Sequence, residues 1–144
     1  MTASPTADSR TFRTHQALAP SHARIAARDS ATIRTQVAVS RIAAPTGDES
    51  ERAEWFAARL QALGVSDVRL DAAGNVVGTR PGIDDAAPVL VCAHLDTVFA
   101  RTVQLTFRHD GDRVVGPGIG DDGRGLAAML AIAEEIDGRL VRTR

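Results

Sequence analysis

The sequence predicts an α/β domain, with helices on both sides of strands and at least one strand buried on both faces. Segments with helical periodicity come first, shorter segments with a period of two follow, and a strong helix former comes last. Residues 88–93 (PVLVCA) have the apolar, β-branched character of a strand without a solvent-facing side. Helices and strands in this order are typical of α/β proteins.

The composition limits which binding partners and which cellular location are expected for the protein. The 144 residues suffice for one domain with a moderate core, and 17 basic against 18 acidic residues give a net charge of −1. That balance argues against nucleic acid and against a membrane surface as partners. Cys92 is the only cysteine, which excludes an internal disulfide framework. Because the sequence shows neither a bilayer-spanning segment nor a secretory signal, a cytoplasmic protein is expected.

The N-terminal part divides into a tail and a first helix. Residues 1–23 are rich in Thr, Ser, Ala and Pro and lack periodicity, so a loose tail is predicted ahead of a folded part at residues 24–144. A helix is predicted from Arg28, and Pro45 ends it. The apolar face of this helix comprises Ile33, Val37 and Ile42.

A second helix is predicted after a capping motif. Residues 46–49 (TGDE) match a capping box, in which Thr46 and Glu49 would each bond the backbone N–H of the other. Gly64 is expected to stop the helix. Its apolar face comprises Ala53, Phe56, Leu60 and Leu63.

Short strands are expected where the apolar period changes to two. They are predicted at residues 68–70, 76–79, 106–108 and 113–115, besides the strand at 88–93. Turn signals separate them at residues 73–75 (AGN), 81–82 (PG), 84–85 (DD) and 110–111 (DG). Residues 126–136 are predicted to form the last helix.

Residues 94–96 (HLD) are costly to bury, yet they directly follow the predicted strand at 88–93. Alternate residues of a strand share a face, so His94 and Asp96 would point the same way, with Cα atoms roughly 6.5 Å apart. The carboxylate could then accept a hydrogen bond from one imidazole nitrogen and direct the other nitrogen at a metal ion. Such sites lie at the carboxyl ends of strands in open α/β sheets. The alternative is a structural histidine bonded to a neighbouring carboxylate.

Cys92 leaves a further alternative open, because it shares the face of His94 and Asp96. A Cys-His-Asp hydrolase would use that thiol as its nucleophile. The position of Cys92 within the apolar run favours an inert, buried thiol instead.

Residues 116–125 (GPGIGDDGRG) contain the pattern G-x-G-x-x-G ahead of the last helix, which leaves a dinucleotide-binding site open. Asp121 and Asp122 argue against it, because two carboxylates would repel a pyrophosphate at the helix N-terminus. One of these Asp residues could simply cap the helix, but the second needs another reason. A cation supplies that reason, and His94 with Asp121 suits zinc, cobalt or manganese.

Together, the motifs at residues 94–98 (HLDTV) and 116–122 (GPGIGDD) resemble those of a zinc-dependent metallopeptidase family. The family includes peptidase T, glutamate carboxypeptidase, the aminoacylases and succinyl-diaminopimelate desuccinylase. Residues 44–47 (APTG) and 70–78 (LDAAGNVVG) are also familiar in it, and the resemblance covers about residues 25–144. It implies the N-terminal part of a mixed-sheet metallohydrolase catalytic domain with flanking helices.

The resemblance also implies an activity and a set of site residues. The substrate would be a small peptide or an N-acyl amino acid, whose amide bond is hydrolysed by a water activated between two Zn²⁺ ions, with Co²⁺ or Mn²⁺ as substitutes. His94 would bind one metal, Asp121 would bridge both, and Asp96 would be the catalytic-site residue that orients His94. The peptide bond between Asp121 and Asp122 is expected to be cis. Residues 123–125 (GRG) stand where the family often has Lys-Gly-Gly or Arg-Ala-Gly.

The general-base Glu and the remaining ligands are expected beyond Arg144, so the chain is expected to be an inactive fragment. Glu134 and Glu135 are not identified with the Glu pair of the family, since they are predicted to lie on a solvated helix face. The other histidines are predicted to lie in the tail or in a turn: His15, His22 and His109. A homodimer is left open for the full-length protein. The rival hypothesis is a non-catalytic α/β binding module that keeps the motifs as structure.

Overall fold

The computed structural model describes residues 7–82 and 87–136. These residues form four helices and two separate two-stranded sheets, both antiparallel. The elements in chain order are α1 (Ala7–Ala27), α2 (Asp29–Ser40), α3 (Ser50–Ala62), β1 (Ser66–Leu70), β2 (Val76–Thr79), β3 (Arg108–Asp110), β4 (Arg113–Val115) and α4 (Gly123–Ile136). This combination is of the α/β class that the sequence predicts. The turn expected at residues 84–85 lies outside the described residues, as do residues 1–6 and 137–144.

Three helices and one hairpin share a small apolar core. Its buried centre consists of Val39, Phe56, Leu60, Leu126 and Leu130. Half-buried residues of the first hairpin, including Val68 and Val76, pack against this centre. Full burial of a side chain such as Leu126 stabilises the fold by about 1.5–3 kcal/mol. Ala93 and Leu95 also contact the centre, so the core lies directly beneath the HLD segment.

The helix α2 buries a more polar face than its apolar pattern predicts. Its buried residues are Gln36, Val39 and Ser40, whereas the predicted face is only half-buried. Gln36 donates from Nε2 to the carbonyl oxygen of Ile119 at 2.6 Å. The helix therefore packs on the loop at residues 116–125 as well as on the core, which its own periodicity could not indicate.

The helix α1 occupies most of the segment for which the composition predicts a loose tail. Its C-terminal end is tied to α4, because Arg24 pairs with Glu135 and Arg28, directly after α1, pairs with Glu134. These pairs join residues more than a hundred positions apart, so local composition does not reveal them. The same pairs correct the solvated face expected at residues 134–135, since the Glu135 side chain is only 11% exposed.

The helix α3 begins at Ser50 without the expected capping box. Glu49 accepts a hydrogen bond from the backbone N–H of Gly47, and the Thr46 hydroxyl donates to Asp96 Oδ2 at 2.6 Å instead. The capping prediction is wrong because a carboxylate that is distant in sequence takes the Thr46 hydroxyl.

The remainder of α3 follows the predicted pattern. Gly64 comes directly after the C-cap residue and has a φ of 71°, a left-handed conformation that glycine adopts without strain. The predicted apolar face is buried or packed against the core: Ala53, Phe56, Leu60 and Leu63. Arg52 is also buried on this helix, which the apolar pattern does not predict.

The four short strands form two hairpins. In the first hairpin Leu70 pairs with Val76 across the turn predicted at residues 73–75. In the second, Asp110 pairs with Arg113 across a turn that contains Gly111. The strand β3 begins two residues later than the start expected at residue 106.

Residues 88–93 do not form the buried strand that their composition predicts. They have no regular secondary structure, and Val89 and Leu90 are 88% and 86% exposed. Cys92 is exposed as well, which corrects the expected buried thiol. A strand requires a neighbour for its backbone hydrogen bonds, and within the described residues each strand pairs only with its own hairpin partner. The sequence predicted the strand-forming residues but not this pairing.

None of the helices in the described ranges has both the length and the apolar character needed to cross a bilayer.

Candidate metal centre

His94 and Asp96 share one face because the residues beside them are held inward. Ala93 and Leu95 pack against the core, so alternate side chains at 94 and 96 point outward. Inward and outward side chains therefore alternate along residues 93–96 as predicted, although the segment is not part of a sheet. Thr97 then anchors the end of the segment, because its N–H donates to the carbonyl oxygen of Ala44 at 2.8 Å.

Both nitrogens of the His94 ring face carboxylates. Nδ1 lies 3.0 Å from Asp96 Oδ1, and Nε2 lies 2.8 Å from Asp121 Oδ1. The predicted contact between His94 and Asp96 is confirmed, and the second motif reaches the opposite edge of the ring. A carboxylate on Nδ1 fixes the ring orientation and leaves Nε2 as the nitrogen that can bind a metal.

The Asp96 carboxylate has a second partner, the Thr46 hydroxyl. This hydrogen bond, followed by the one from His94, holds the pKa of the Asp96 carboxyl below its ordinary range. The Asp96 side chain therefore stays ionised and oriented toward the ring. Sequence reasoning missed Thr46 in this position, although residues 44–47 contributed to the family resemblance.

The two adjacent aspartates have different tasks. Asp122 accepts hydrogen bonds from the backbone N–H groups of Gly125 at 3.0 Å and His94 at 3.2 Å. It therefore caps α4 and joins the two motifs, which bears out the capping expected of one Asp. The Asp121 side chain is 92% exposed and reaches Nε2 of His94. The peptide bond between Asp121 and Asp122 is cis, as the resemblance implies.

The loop at residues 116–125 requires glycine where it approaches its neighbours. Gly118 has a φ of 68°, and a Cβ on it would lie 3.2 Å from Thr97 Oγ1. A Cβ on Gly125 would collide with the Asp122 carboxylate. The close contact at Gly118 accounts for one glycine that the dinucleotide hypothesis would assign to phosphate binding. Asp122 also accepts an N–H that a phosphate would use, which argues further against that hypothesis.

The charge distribution favours a cation on His94. Hydrogen bonding by Asp121, and then by Asp96, raises the pKa of the His94 imidazole above its ordinary value. Without a metal, the two carboxylates thus stabilise the protonated His94 ring that lies between them. A divalent cation would meet the same carboxylates and could replace the proton on Nε2.

Cys92 and the glutamates on α4 are not part of this arrangement. Both ring nitrogens of His94 already have carboxylate partners, so neither faces the Cys92 thiol as a catalytic base. Glu134 and Glu135 pair with arginines at the C-terminal end of α1. Within residues 7–82 and 87–136, no cluster of three or more His, Cys, Asp or Glu side chains is arranged to hold a metal ion.

The comparisons with known proteins agree with the two motifs. Residues 75–143 match the peptidase family M28. Carboxypeptidase G2 of Pseudomonas sp. (strain RS-16) is 34% identical over 110 residues, which cover 69% of this chain and 26% of the relative. The chain is thus similar to peptidases, in agreement with the metallopeptidase resemblance of its two motifs. A Pyrococcus abyssi protein, provisionally a LysW-lysine/LysW-ornithine hydrolase, is 31% identical over 100 residues, covering 69% of this chain and 28% of the relative.

The chain spans about a quarter of the length of these two relatives. The family match nevertheless includes both motifs, since His94 and Asp121 lie within residues 75–143. The donors present are an imidazole nitrogen and a carboxylate oxygen, which suit zinc and related divalent ions. The chemistry of these donors fits part of a metallopeptidase centre.

Proposed function

We propose that the complete protein is a metal-dependent hydrolase of amide bonds in small peptides or N-acyl amino acids. The observation that carries this proposal is the His94 ring, held by Asp96 on Nδ1 and facing Asp121 on Nε2. A structural histidine would need one carboxylate partner. The second carboxylate, which is largely exposed at the opposite nitrogen, supports a site for a cation.

In this proposal His94 would bind one Zn²⁺ ion, and Asp121 would be shared between two. When bound, such ions supply the Lewis acidity that acidifies a water and polarises a carbonyl group. The donor set also suits Co²⁺ or Mn²⁺. Relatives named as a carboxypeptidase and a hydrolase support a peptidase-type activity, and amide hydrolysis in peptides or N-acyl amino acids is the reaction class we assign.

The other residues of the site orient rather than bind. With a metal bound, Asp96 would hold the ring proton at Nδ1, so that the lone pair of Nε2 would be free for the metal. Thr46 holds the second oxygen of Asp96. Asp122 holds the backbone of His94 from the opposite motif, and thereby keeps Nε2 within reach of Asp121.

We also propose that other parts of the protein complete this centre. A catalytic zinc site commonly has three protein ligands, and a bridged pair of metals needs more. The described residues bring two candidate ligands together, and no group of three. A general base would likewise come from outside the described ranges, because Glu134 and Glu135 are held in ion pairs.

Metal analysis of the full-length protein tests the proposal. Close to two equivalents of metal per chain are expected, together with hydrolysis of dipeptides or N-acyl amino acids that a chelator abolishes. The His94→Ala variant should lose both, whereas His109→Ala, in the exposed strand β3, should retain both. Absence of bound metal, with no hydrolysis after zinc, cobalt or manganese is supplied, would contradict the proposal.

The rival function is a non-catalytic α/β binding module of the same fold. The observation that favours it is the incomplete ligand set of the described residues. The same measurement separates the two, because such a module would hold much less than two equivalents of metal and would not hydrolyse amides.

A further inference from the structure

Arg52 is a buried arginine in the first turn of α3, only 3% exposed. Its guanidinium group donates from Nη1 to the carbonyl oxygen of Leu95 at 2.6 Å. Nε donates to the carbonyl oxygen of Ile42 at 3.1 Å, and Nη2 donates to the same oxygen. All three hydrogen bonds therefore go to backbone oxygens, and none of the ion pairs found in the described ranges includes Arg52.

The Leu95 carbonyl, which accepts the Nη1 hydrogen bond, belongs to the residue between His94 and Asp96. Its position therefore affects the orientation of both side chains. The Leu95 carbonyl fixes the peptide plane on which the two outward side chains depend. Arg52 thus connects the segment that carries the candidate centre to the chain that follows α2.

The two segments joined by Arg52 lie side by side like strands but have few backbone hydrogen bonds of their own. Pro45 and Thr97 form an isolated parallel bridge, and the N–H of Thr97 donates to Ala44. Pro45 lacks an N–H and cannot extend this pairing. The guanidinium group supplies the donors that a regular ladder would take from the backbone.

Arginine is a costly residue at this position, which argues against an incidental role. Burial of a charge is unfavourable unless hydrogen bonds compensate for the lost water. A positive charge in the first turn of a helix also opposes the helix dipole. The planar guanidinium fork holds its N–H groups in fixed and separate directions toward the two carbonyl oxygens, whereas a lysine ammonium concentrates its three donors at one point.

We infer that Arg52 is a positioning residue for the candidate metal centre, which it supports by holding the Leu95 carbonyl. Its action is indirect, since it does not contact the proposed ligands His94 and Asp121. Loss of the fork would allow the 94–96 backbone to rotate. The Asp96 carboxylate and the His94 ring would then no longer hold their common orientation. The inference rests on the proposed function only where metal binding is concerned.

Two variants of the full-length protein test the inference. Arg52→Met keeps an unbranched apolar stem and removes all donors, and Arg52→Lys keeps the charge but not the planar fork. Arg59→Met is the matched control, because Arg59 lies two turns later on α3 against the Trp55 ring. Circular dichroism first establishes which variants fold.

The first readout needs no metal. Nitrogen-15 NMR of labelled histidine, recorded at a pH where the ring is neutral, reports how the His94 proton is distributed between Nδ1 and Nε2, and the signal missing in His94→Ala identifies the residue. Arg52→Met should change this distribution, Arg52→Lys should recover part of the original spectrum, and Arg59→Met should match the unmodified protein.

The second readout is Co²⁺ affinity, followed by the visible absorption of the bound ion. Arg52→Met should bind Co²⁺ about 10–100-fold more weakly, as is typical when the support of a ligand is lost. Arg52→Lys should be intermediate. If Arg52→Met does not fold, the His94 signals and the Co²⁺ affinity of Arg52→Lys alone test the inference. A folded variant at position 52 with unchanged His94 signals and unchanged Co²⁺ affinity would overturn the inference. Failure of the unmodified protein to bind Co²⁺ would instead contradict the proposed function. The NMR result would then still test whether Arg52 positions His94, because it needs no metal.

Discussion

His94 Nε2 lies 2.8 Å from Asp121 Oδ1, although the two residues are 27 positions apart in the sequence. The contact depends on anchors from other elements. The Asp122 carboxylate accepts the backbone N–H of His94, and Gln36 of α2 holds the loop through the carbonyl oxygen of Ile119. The two motifs therefore meet because side chains with no metal-binding role fix the backbone of each.

Removal of the His94 imidazole should abolish metal binding in the full-length protein. His94→Ala is expected to lower metal content and amide hydrolysis by orders of magnitude, because the ring supplies the only nitrogen ligand proposed for the described part of the site. Elemental analysis and a dipeptide assay measure the two effects. His109→Ala serves as the control, and normal zinc content in His94→Ala would refute the assignment.

Asp96→Asn should impair activity more than metal content. The amide can still contact the ring but no longer stabilises the imidazole as a carboxylate does, and losses of roughly 10–100-fold are typical for such support. Metal content and turnover should be measured on the same preparation. A metal loss greater than that of His94→Ala would identify Asp96 as a direct ligand.

Thr46→Val should reproduce part of the Asp96→Asn effect. The substitution keeps the shape of the side chain and removes the hydroxyl that donates to Asp96 Oδ2 at 2.6 Å. Activity is expected to fall by a smaller factor than in Asp96→Asn, with metal content nearly unchanged. Thr32→Val is the control on α2, because the Thr32 hydroxyl donates to the carbonyl of Arg28 at the start of the same helix. Equal activity in both variants would show that the Thr46 contact is dispensable.

The imidazole of His94 should titrate above its ordinary value of 6.5 in the metal-free protein. Asp121 and then Asp96 stabilise the charged ring, so the pair contributes stability below the unfolded pKa and loses it as pH rises through the raised folded pKa. Metal binding has the opposite dependence, since Nε2 must be unprotonated, and affinity should fall as pH drops below the folded pKa.

Histidine NMR in the folded and denatured protein measures this shift. Asp121→Asn should lower the pKa of His94 more than Asp96→Asn does, because the Asp121 hydrogen bond is the larger cause. A folded pKa equal to the denatured one would show that the two carboxylates do not act on the ring.

The 144-residue chain by itself should bind metal weakly and show no hydrolysis. The described residues supply a two-donor site, and metal-dependent catalysis requires more ligands and a general base. The chain should be assayed with zinc, cobalt or manganese on dipeptides, tripeptides and N-acyl amino acids. Chelator-sensitive turnover would require ligands among Glu134, Glu135 and His109, despite the ion pairs of the first two.

Local sequence signals were sufficient for several elements. Periodicity and Gly64 located α3 and its end, and turn residues located both hairpins. The helix α4 was predicted to within a few residues. The α/β class and the family resemblance followed from these patterns and two short motifs. Such features depend on residues near one another in the chain, where backbone propensity and spacing act directly.

The contact between His94 and Asp96 was predictable for the same reason, since two positions of extended backbone separate them. The tertiary structure decided every relationship that depends on a distant partner. Thr46 bonds Asp96 rather than capping α3, and Arg52 lies buried on the Leu95 carbonyl. A side-chain donor binds whichever acceptor the fold brings closest, and local sequence does not identify that acceptor.

The same reason explains the failed strand at residues 88–93 and the unexpected helix α1. The apolar residues of 88–93 suit a strand, but a strand exists only where another backbone supplies its hydrogen bonds. The composition of residues 1–23 indicated a tail, but Arg24 and Glu135 join α1 to α4. The sequence by itself determined the three later helices, the turns and the two motifs of the candidate site. Tertiary contacts decided strand pairing, burial and which hydrogen bonds orient the site, because these depend on residues brought together only by folding.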